Sequence, residues 1–285
     1  DSELAVSNIE KTLKKLGIDL HTHVLDWDEF RDLQLAFLKA SVPDGEIPTD
    51  HAIAAVLYQA AVREGVRYII SGTNLRTEGI LPVRWTYGVT DWRYIRSVHR
   101  RQGTRPLKSF PHLSLPRWLY DTIFRRIECV SLLNYLPYNK QEALRILQEE
   151  LDWKYYGGKH YESIYTRFFQ SYILPRKFGI DKRKAHLSTL ICSGQITRQQ
   201  ALEEIKKDIC PPDILRSDRE YVLKKLNLSE ADFDAIMALP VKSYRDYPNN
   251  SGLMNGLRTI FRWGKKLHLV GLARKVGVLP RQFGL

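Results

Sequence analysis

Residues 66–74 read Val-Arg-Tyr-Ile-Ile-Ser-Gly-Thr-Asn, an apolar and β-branched run that ends in a short polar loop. The run Val66–Ile70 has the length and composition of a buried parallel strand. In open α/β sheets, ligands bind beyond the carboxyl ends of the strands, which is where Ser71–Asn74 follows. This stretch therefore predicts both a fold class and the position of a ligand site.

Helical and extended patterns alternate before this strand. Apolar spacing predicts a helix that ends at Gly17, and period-two alternation predicts a strand over Ile18–Leu25. A capping box, Asp26 with Glu29, predicts a helix from 27 to about 40. A further helix is predicted to begin at Thr49 or Asp50 and to end at Gly65, with this apolar stripe: Ile53, Val56, Leu57, Ala60 and Ala61. The order predicts an open parallel sheet with helices on its faces.

The second half of the chain is predicted to be mainly helical. Amphipathic helices are expected over Asn139–Leu151, Thr197–Asp208 and Ser229–Leu239, and strand patterns are scarce after about Pro111. We place the domain boundary between 110 and 116. The predicted organisation is an α/β domain over residues 1–112, a mainly helical domain over 113–250 and a basic tail over 251–285.

Composition limits the class of protein. The 285 residues are 44% hydrophobic and 27% charged, which is typical of a globular protein and excludes a disordered or collagen-like chain. The three cysteines form no CxxC pair, so neither a disulfide framework nor an all-cysteine zinc site within these residues is expected. Because no apolar run approaches the ~18 residues of a membrane span and no secretory signal is present, a cytoplasmic protein is expected.

The net charge of +12 is concentrated near the C-terminus. From Tyr247 to Leu285 there is no Asp or Glu, while seven Lys and Arg residues alternate with apolar ones. This pattern indicates a basic amphipathic helix that contacts an anionic membrane surface or an acidic partner. The alternative is a helix that packs on its own domain with its charges in solvent. No nucleic-acid-binding motif is present, and we expect no nucleic acid partner.

The loop after the predicted strand carries phosphate-binding chemistry. Ser71 and Thr73 supply hydroxyls, Gly72 allows close approach of the backbone, and Asn74 supplies an amide. Glu78 is a hard oxygen ligand that suits Mg²⁺ on a phosphate chain. The alternative is an ordinary turn after a strand. The aromatic stretch that follows is predicted to be an ordered functional loop, with Arg84, Trp85 and Tyr87.

A second segment combines several ionisable side chains. On a helix that begins near Gly158, four residues would share one face: Lys159, Glu162, Ser163 and Thr166. Such a face can bind a phosphate or a developing oxyanion. The basic triplet Lys182–Lys184 and His186 add positive charge for an anionic ligand. The alternative is a solvated, basic start of a helix.

Several motifs, in order along the chain, resemble those of the N-acetyl sugar amidotransferases. They cover most of the chain up to about residue 250: Ser2–Glu10, Ile70–Asn74, Thr77–Leu81, Asp91–Ile95, Tyr156–Ser163, Lys177–Arg183, Ser193–Arg198 and Asp246–Asn250. The resemblance implies an ATP-pyrophosphatase (PP-loop) fold and a role in bacterial O-antigen or pseudaminic and legionaminic acid pathways. It implies ATP and Mg²⁺ as cofactors, and a nucleotide-linked sugar as substrate. It also implies a glutaminase partner that supplies ammonia, with a cyclase-like partner that is similar to those of histidine biosynthesis.

The resemblance also assigns roles to residues. Nucleotide contacts are expected at Ser71, Gly72, Thr73 and Asn74, and Mg²⁺ at Glu78. Phosphates or an anionic sugar nucleotide are expected at catalytic residues Lys159, Arg167, Lys182 and Arg183. Substrate contacts are expected at Arg84, Trp85, Tyr87, His160, Glu162 and His186.

The family's pyrophosphate loop, Ser-Gly-Gly-x-Asp-Ser, and its CxxC pairs do not occur in these residues. We expect an upstream segment to carry the loop, and to bring Zn²⁺ through its cysteines. A chain that truly began at Asp1 would be expected to lack pyrophosphatase activity. Two other functions stay open on the sequence: another PP-loop ATPase, such as a tRNA-modifying enzyme, and a non-catalytic subunit or fragment that docks a glutaminase.

Overall fold

Helices dominate the computed structural model, which describes residues 2–158, 161–256 and 259. Its strands are β1 (Tyr68–Ser71) and β2 (Glu128–Ser131). The helices of the first half are α1 (Glu3–Leu16), α2 (Trp27–Ala40), α3 (Ile47–Arg63), α4 (Leu75–Glu78), α5 (Trp92–Gln102) and α6 (Leu115–Ile123). Those of the second half are α7 (Lys140–Leu151), α8 (Ile164–Phe168), α9 (Leu174–Phe178), α10 (Lys182–Cys192), α11 (Arg198–Lys206), α12 (Pro212–Leu226) and α13 (Glu230–Ala238). None of the described helices is long and apolar enough to cross a bilayer.

The described residues form two units, and each unit combines three separate stretches of chain. The first unit comprises the described residues of Asp1–Val24, Gly72–Thr86 and Ser131–Val241. The second unit comprises those of Leu25–Ser71, Tyr87–Val130 and Lys242–Leu285. Because the chain returns to each unit, changes of composition along the sequence do not mark the borders of the units. The three consecutive domains expected from the sequence stay a prediction.

In the second unit, α2 packs against α5 and forms the core. Leu33 and Phe37 of α2 are buried against Tyr94, Ile95 and Val98 of α5. The predicted start of α2 is confirmed, because the Asp26 carboxylate accepts a hydrogen bond from the backbone N–H of Glu29 at 3.0 Å. This cap satisfies one of the free N–H groups of the first helical turn.

Two buried carboxylates tie loops to this core. Asp44 accepts hydrogen bonds from the Tyr94 hydroxyl and the Tyr87 backbone N–H, both at 2.8 Å. Asp91 caps α5 and accepts a hydrogen bond from the Tyr87 hydroxyl at 2.7 Å. The Tyr87 ring also stacks on Tyr244, with centroids 4.3 Å apart. Tyr87 therefore belongs to the core of this unit, although the sequence predicts a substrate contact for it.

Helix α3 is present, but its start and its buried face differ from the prediction. It begins at Ile47, because Pro48 suits the first turn of a helix, and not after Thr49. The apolar residues Ile53 and Leu57 of the predicted stripe are 54% and 44% exposed, whereas His51, Ala52 and Ala55 are buried. The apolar period correctly locates the helix but does not predict which face is buried.

His51 is held in the core as a neutral ring. Its Nδ1 donates to the Val89 carbonyl at 2.6 Å, and its Nε2 accepts from the Leu113 N–H at 3.1 Å. The ring lies nearly parallel to Trp92 and Phe110. Burial lowers the pKa of His51, and the nearby His112 lowers it further, while the Val89 hydrogen bond and Asp91 act in the opposite direction.

Acid is therefore expected to destabilise the second unit below about pH 6.5, the ordinary pKa of histidine. The folded state resists the proton that the unfolded chain takes up, so the stability from His51 is complete above this pH and falls as the pH decreases. The urea midpoint of unfolding, measured between about pH 8 and about pH 5, tests this. In His51→Gln, the urea midpoint should no longer decrease between these two pH values. A flat midpoint in the unmodified protein would contradict the assignment.

The sheet is smaller than the one expected from the sequence. A strand, β1, is present where Val66–Ile70 predicts one, and it pairs in parallel with β2, a strand that the sequence analysis missed. The predicted burial of this strand is wrong, because Val66, Tyr68 and Ile70 are 47%, 65% and 69% exposed. The strand predicted over Ile18–Leu25 is wrong, because these residues form neither helix nor strand and Ile18, Leu20 and Val24 are exposed. Their alternating pattern has no strand partner within the described ranges. An open PP-loop sheet therefore stays a prediction.

Helix ends in the first unit follow local sequence chemistry. Gly17 ends α1 in the left-handed conformation, at φ 62°, as predicted. The predicted helices α7, α11 and α13 are confirmed, with Asn139, Thr197 and Ser229 as their N-caps. Thr197 and Ser229 each form a complete capping box.

The helix predicted to begin near Gly158 instead begins at Ile164, with Ser163 as its N-cap. Glu162 and Ser163 precede this helix and do not share a helical face with Thr166, so that part of the predicted cluster is wrong. Lys159 and His160 lie outside the described residues, as do most residues of the predicted tail, 257–258 and 260–285.

Candidate functional site

The loop that follows β1 is closed by its own side chains. The Asn74 side-chain oxygen accepts hydrogen bonds from the Thr77 N–H at 2.9 Å and the Thr77 hydroxyl at 3.1 Å, and so caps α4. Asn74 and Thr77 are both buried. In the described part of the chain, a Cβ built on Gly72 would meet no atom within 4 Å, so the loop backbone can be approached there. The loop is therefore a preformed turn with an open entry.

A second loop, which begins at Ser131, binds the first. The Thr73 and Ser131 hydroxyls are 2.9 Å apart, and the Leu75 N–H donates to the Asn134 side-chain oxygen at 2.8 Å. Thr73 is exposed and Ser131 is half-buried. Two hydroxyls thus lie side by side at the surface of the first unit.

One face of α10 holds α4 in place. His186 Nδ1 lies 3.1 Å from the Thr77 carbonyl, and the Ser193 hydroxyl donates to the Arg76 carbonyl at 2.8 Å. The Thr189 hydroxyl accepts a hydrogen bond from the Ile80 N–H at 3.1 Å. The first two contacts satisfy carbonyls of α4 that its four residues cannot pair internally, and the third satisfies an N–H just beyond the helix. The position of Glu78 is therefore set by α10.

Lys140, at the start of α7, joins the same cluster. Its ammonium nitrogen lies 3.4 Å from His186 Nε2, and its backbone N–H donates to the Gln195 side-chain oxygen at 2.9 Å. Because His186 Nδ1 donates to a carbonyl, Nε2 carries the lone pair and accepts from the ammonium. Lys182 lies one turn before His186 on α10 and is half-buried. Lys140 therefore contacts His186, and Lys182 precedes it by one turn of the same helix.

Glu78 and Tyr138 complete the charged part of the cluster. Burial raises the pKa of the Tyr138 phenol, and the nearby Glu78 carboxylate raises it further, so the phenol stays protonated. The Glu78 side chain is exposed. Acid, base, hydroxyl and phenol groups thus occupy one surface of the first unit, around α4.

The cluster fits Mg²⁺ only in part. Among the described residues there is no group of three or more His, Cys, Asp or Glu side chains that could hold a metal ion. Mg²⁺ in phosphate-transfer sites is typically bound by one or two carboxylates together with substrate phosphates and water. Glu78 therefore fits as a single protein ligand that requires phosphates beside it.

Two of the predicted catalytic arginines make structural contacts. The Arg167 guanidinium binds both Asp218 oxygens, at 2.6 Å and 2.7 Å, and joins α8 to α12. Arg183 binds the Asp181 carboxylate and donates to the Lys207 carbonyl at 2.8 Å. Neither guanidinium lies among the contacts around Glu78 described above. The catalytic roles predicted for these two arginines stay predictions.

The other predicted residues divide between the two units. Thr73, Asn74, Glu78, Lys182 and His186 all belong to the first unit, and of these Asn74 and His186 bond directly to α4. Arg84 and Trp85 follow in the same unit, with Arg84 exposed and Trp85 half-buried, and Glu162 lies in the turn before α8. Ser71 ends β1 in the second unit.

Sequence reasoning missed Lys140 and Tyr138. The capping residue Asn139 marks the start of a helix, but no local pattern connects this helix to a loop some sixty positions earlier. The contact depends on α10, which lies later still in the chain.

Residues 162–262 match a family model described as LPS biosynthesis protein WbpG-like, C-terminal domain. The match includes α10 with Lys182 and His186, but not the loop around Glu78. It supports a role for the chain in lipopolysaccharide biosynthesis, in agreement with the surface-polysaccharide pathway implied by the motifs. No curated protein and no solved structure matches the chain.

Proposed function

We propose that this chain belongs to an ATP-dependent amidotransferase of bacterial surface-polysaccharide biosynthesis. The enzyme converts the acetamido group of a nucleotide-activated sugar to an acetamidino group. One observation supports this most directly: His186 of α10 bonds to the Thr77 carbonyl and to Lys140, beside the exposed Glu78 and a pair of hydroxyls contributed by Thr73 and Ser131. The lipopolysaccharide-biosynthesis match over residues 162–262 supports the pathway.

The reaction balances without a redox partner. The acetamido oxygen attacks the α-phosphorus of ATP, and pyrophosphate leaves. Ammonia then adds to the activated carbon, the carbon–oxygen bond breaks, and AMP leaves with the original oxygen. Because AMP is a far better leaving group than an oxide or hydroxide, the protein's main task is to orient two reactants and to stabilise charge on phosphorus.

The cluster supplies groups for these tasks. Glu78 would hold Mg²⁺, which neutralises phosphate charge when bound. Lys140 and Lys182 are point charges of the kind that bind phosphates, and the neutral His186 ring orients the Lys140 ammonium. The Thr73 and Ser131 hydroxyls can donate to phosphate oxygens. We assign nucleotide binding to this surface.

Other parts of the proposal rest on the sequence alone. Arg84 and Trp85 would contact the sugar, and Lys159 and His160, which lie outside the described residues, would add phosphate contacts. Ammonia would come from a glutaminase with its cyclase-like partner. A phosphate loop and a cysteine-bound Zn²⁺ would come from an upstream segment.

Product analysis of the full-length protein tests the proposal. Incubation with ATP, Mg²⁺, ammonium and a UDP- or CMP-linked N-acetyl sugar should yield one AMP and one pyrophosphate for each sugar amidine. Mass spectrometry should show the replacement of one sugar oxygen by an NH group. Omission of ammonium should stop amidine formation. ATP consumption that is independent of the sugar, or that requires tRNA, would contradict the proposal.

A further inference from the structure

The outward face of α5 carries a stripe of exposed arginines. Arg93, Arg96 and Arg100 lie three and four residues apart, so their side chains share one side of the helix. All three are exposed. Within the described ranges, none of the three guanidinium groups has an ion pair or a hydrogen bond. We call this set the arginine stripe; it spans about 10 Å along the helix axis.

Two other helices of the chain pair their cations with carboxylates on the same face. Arg145 of α7 binds Glu142 and Glu149, three residues before it and four after it. Lys206 of α11 binds Glu203 in the same way. Helix α5 contains no acidic residue at all. The arginine stripe has no such carboxylate partner within the described residues.

Repulsion among the charges of the arginine stripe destabilises α5. Like charges three or four residues apart repel each other on a helix surface. Arg93 also lies in the first turn, where the helix dipole disfavours a cation. The Asp91 cap and the opposite face, with the fully buried Tyr94, Ile95 and Val98, stabilise α5 against this repulsion. Anions bound along the stripe would remove this repulsion.

The arrangement of charges on the arginine stripe, and its lack of exposed aromatic side chains, favour the binding of a flat array of phosphates. Single-stranded nucleic acid is bound by exposed aromatic side chains on which bases stack. The aromatic residues of α5 face inward, since Tyr94 is buried and Trp92 stacks on His112 with centroids 4.5 Å apart. A convex row of charges without stacking groups suits the headgroups of an anionic membrane.

We propose that Arg93, Arg96 and Arg100 form a docking surface for the anionic headgroups of a membrane leaflet. The residues of this surface are other than those of the predicted basic tail, and the proposal does not depend on the proposed enzymatic function. The charge of each arginine near such a surface contributes roughly a fivefold gain in affinity.

Vesicle sedimentation of the full-length protein tests the proposal. The protein should bind vesicles of phosphatidylcholine mixed with phosphatidylglycerol, should not bind phosphatidylcholine alone, and should dissociate as salt is raised. R93Q/R96Q/R100Q should lower the affinity on the order of 100-fold. The matched control R216Q/K224Q/K225Q removes the same charge from the exposed side of α12 and should retain the affinity.

Two further variants and a thermal midpoint distinguish a loss of charge from a loss of folding as the cause of weaker vesicle binding. R93K/R96K/R100K retains the charges and should retain binding, and R96Q alone should lose about fivefold. The thermal midpoint of the glutamine variant should stay equal or rise, because repulsion on α5 is removed. Equal losses in the stripe and control variants, or no loss in either, would overturn the proposal. Stripe-dependent binding of single-stranded RNA without vesicle binding would also overturn it.

Discussion

Glu78→Gln is expected to lower the rate of amidine formation by at least about 100-fold while the protein stays folded. The substitution removes the carboxylate charge that would hold Mg²⁺ but preserves the size of the side chain. Because Glu78 is exposed, its replacement should change the free energy of unfolding by less than about 0.5 kcal/mol. Product formation and urea unfolding, measured on the same preparation, give both quantities.

Glu220→Gln provides the matched control for this prediction. Glu220 is an exposed glutamate on α12 of the same unit, with no contact to the loop around Glu78 in the described structure. Its replacement should leave rate and stability unchanged. A large loss of stability in Glu78→Gln would show that Glu78 is structural. An unchanged rate would remove Glu78 from the site and weaken the nucleotide assignment.

Arg167→Met is expected to destabilise the first unit by about 3–5 kcal/mol. Asp218, only 4% exposed, would lose both of its guanidinium hydrogen bonds and become an unpaired buried carboxylate. The hydrogen bond to Asp218 raises the pKa of Arg167, as expected for an arginine held by a carboxylate. The urea midpoint of unfolding at neutral pH measures the loss.

The double variant Arg167→Met with Asp218→Leu distinguishes the net contribution of the ion pair from the cost of leaving the Asp218 carboxylate buried and unpaired. Removing both charges eliminates the uncompensated carboxylate, so most of the lost stability should return. A different result would restore the catalytic role that the sequence predicts for Arg167: normal stability in Arg167→Met together with a loss of amidine formation. The stability of Arg167→Lys should lie between that of the unmodified protein and that of Arg167→Met, because one ammonium cannot replace two parallel hydrogen bonds.

Local chemistry made much of the helical structure predictable. Asp26, Thr197 and Ser229 each cap the helix that the sequence assigns to them, and Gly17 ends α1. A cap needs only groups within three or four residues, so its signal is complete in the sequence. The strand at β1 was also predictable, because its composition differs sharply from that of the helices around it.

Buried faces and pairing partners were less predictable. In α3, the sequence predicts an apolar stripe through Ile53 and Leu57, whereas the core takes the small residues Ala52 and Ala55 together with His51. Residues 18–25 alternate like a strand but have no strand partner within the described ranges. Both differences arise because burial depends on which elements meet, and an apolar period does not contain that information.

The sequence by itself identified the two segments of the candidate site: a loop with Thr73, Asn74 and Glu78 directly after a strand, and a basic helix with Lys182 and His186. Tertiary structure alone decided that the two segments meet, since His186 bonds to the carbonyl of Thr77. It also brought in Lys140, paired Arg167 with Asp218 and left Arg93, Arg96 and Arg100 of α5 without an ion pair or hydrogen bond among the described residues. Caps and turns depend on neighbours in the chain, whereas charge pairing depends on distances in space, which only the packed helices define.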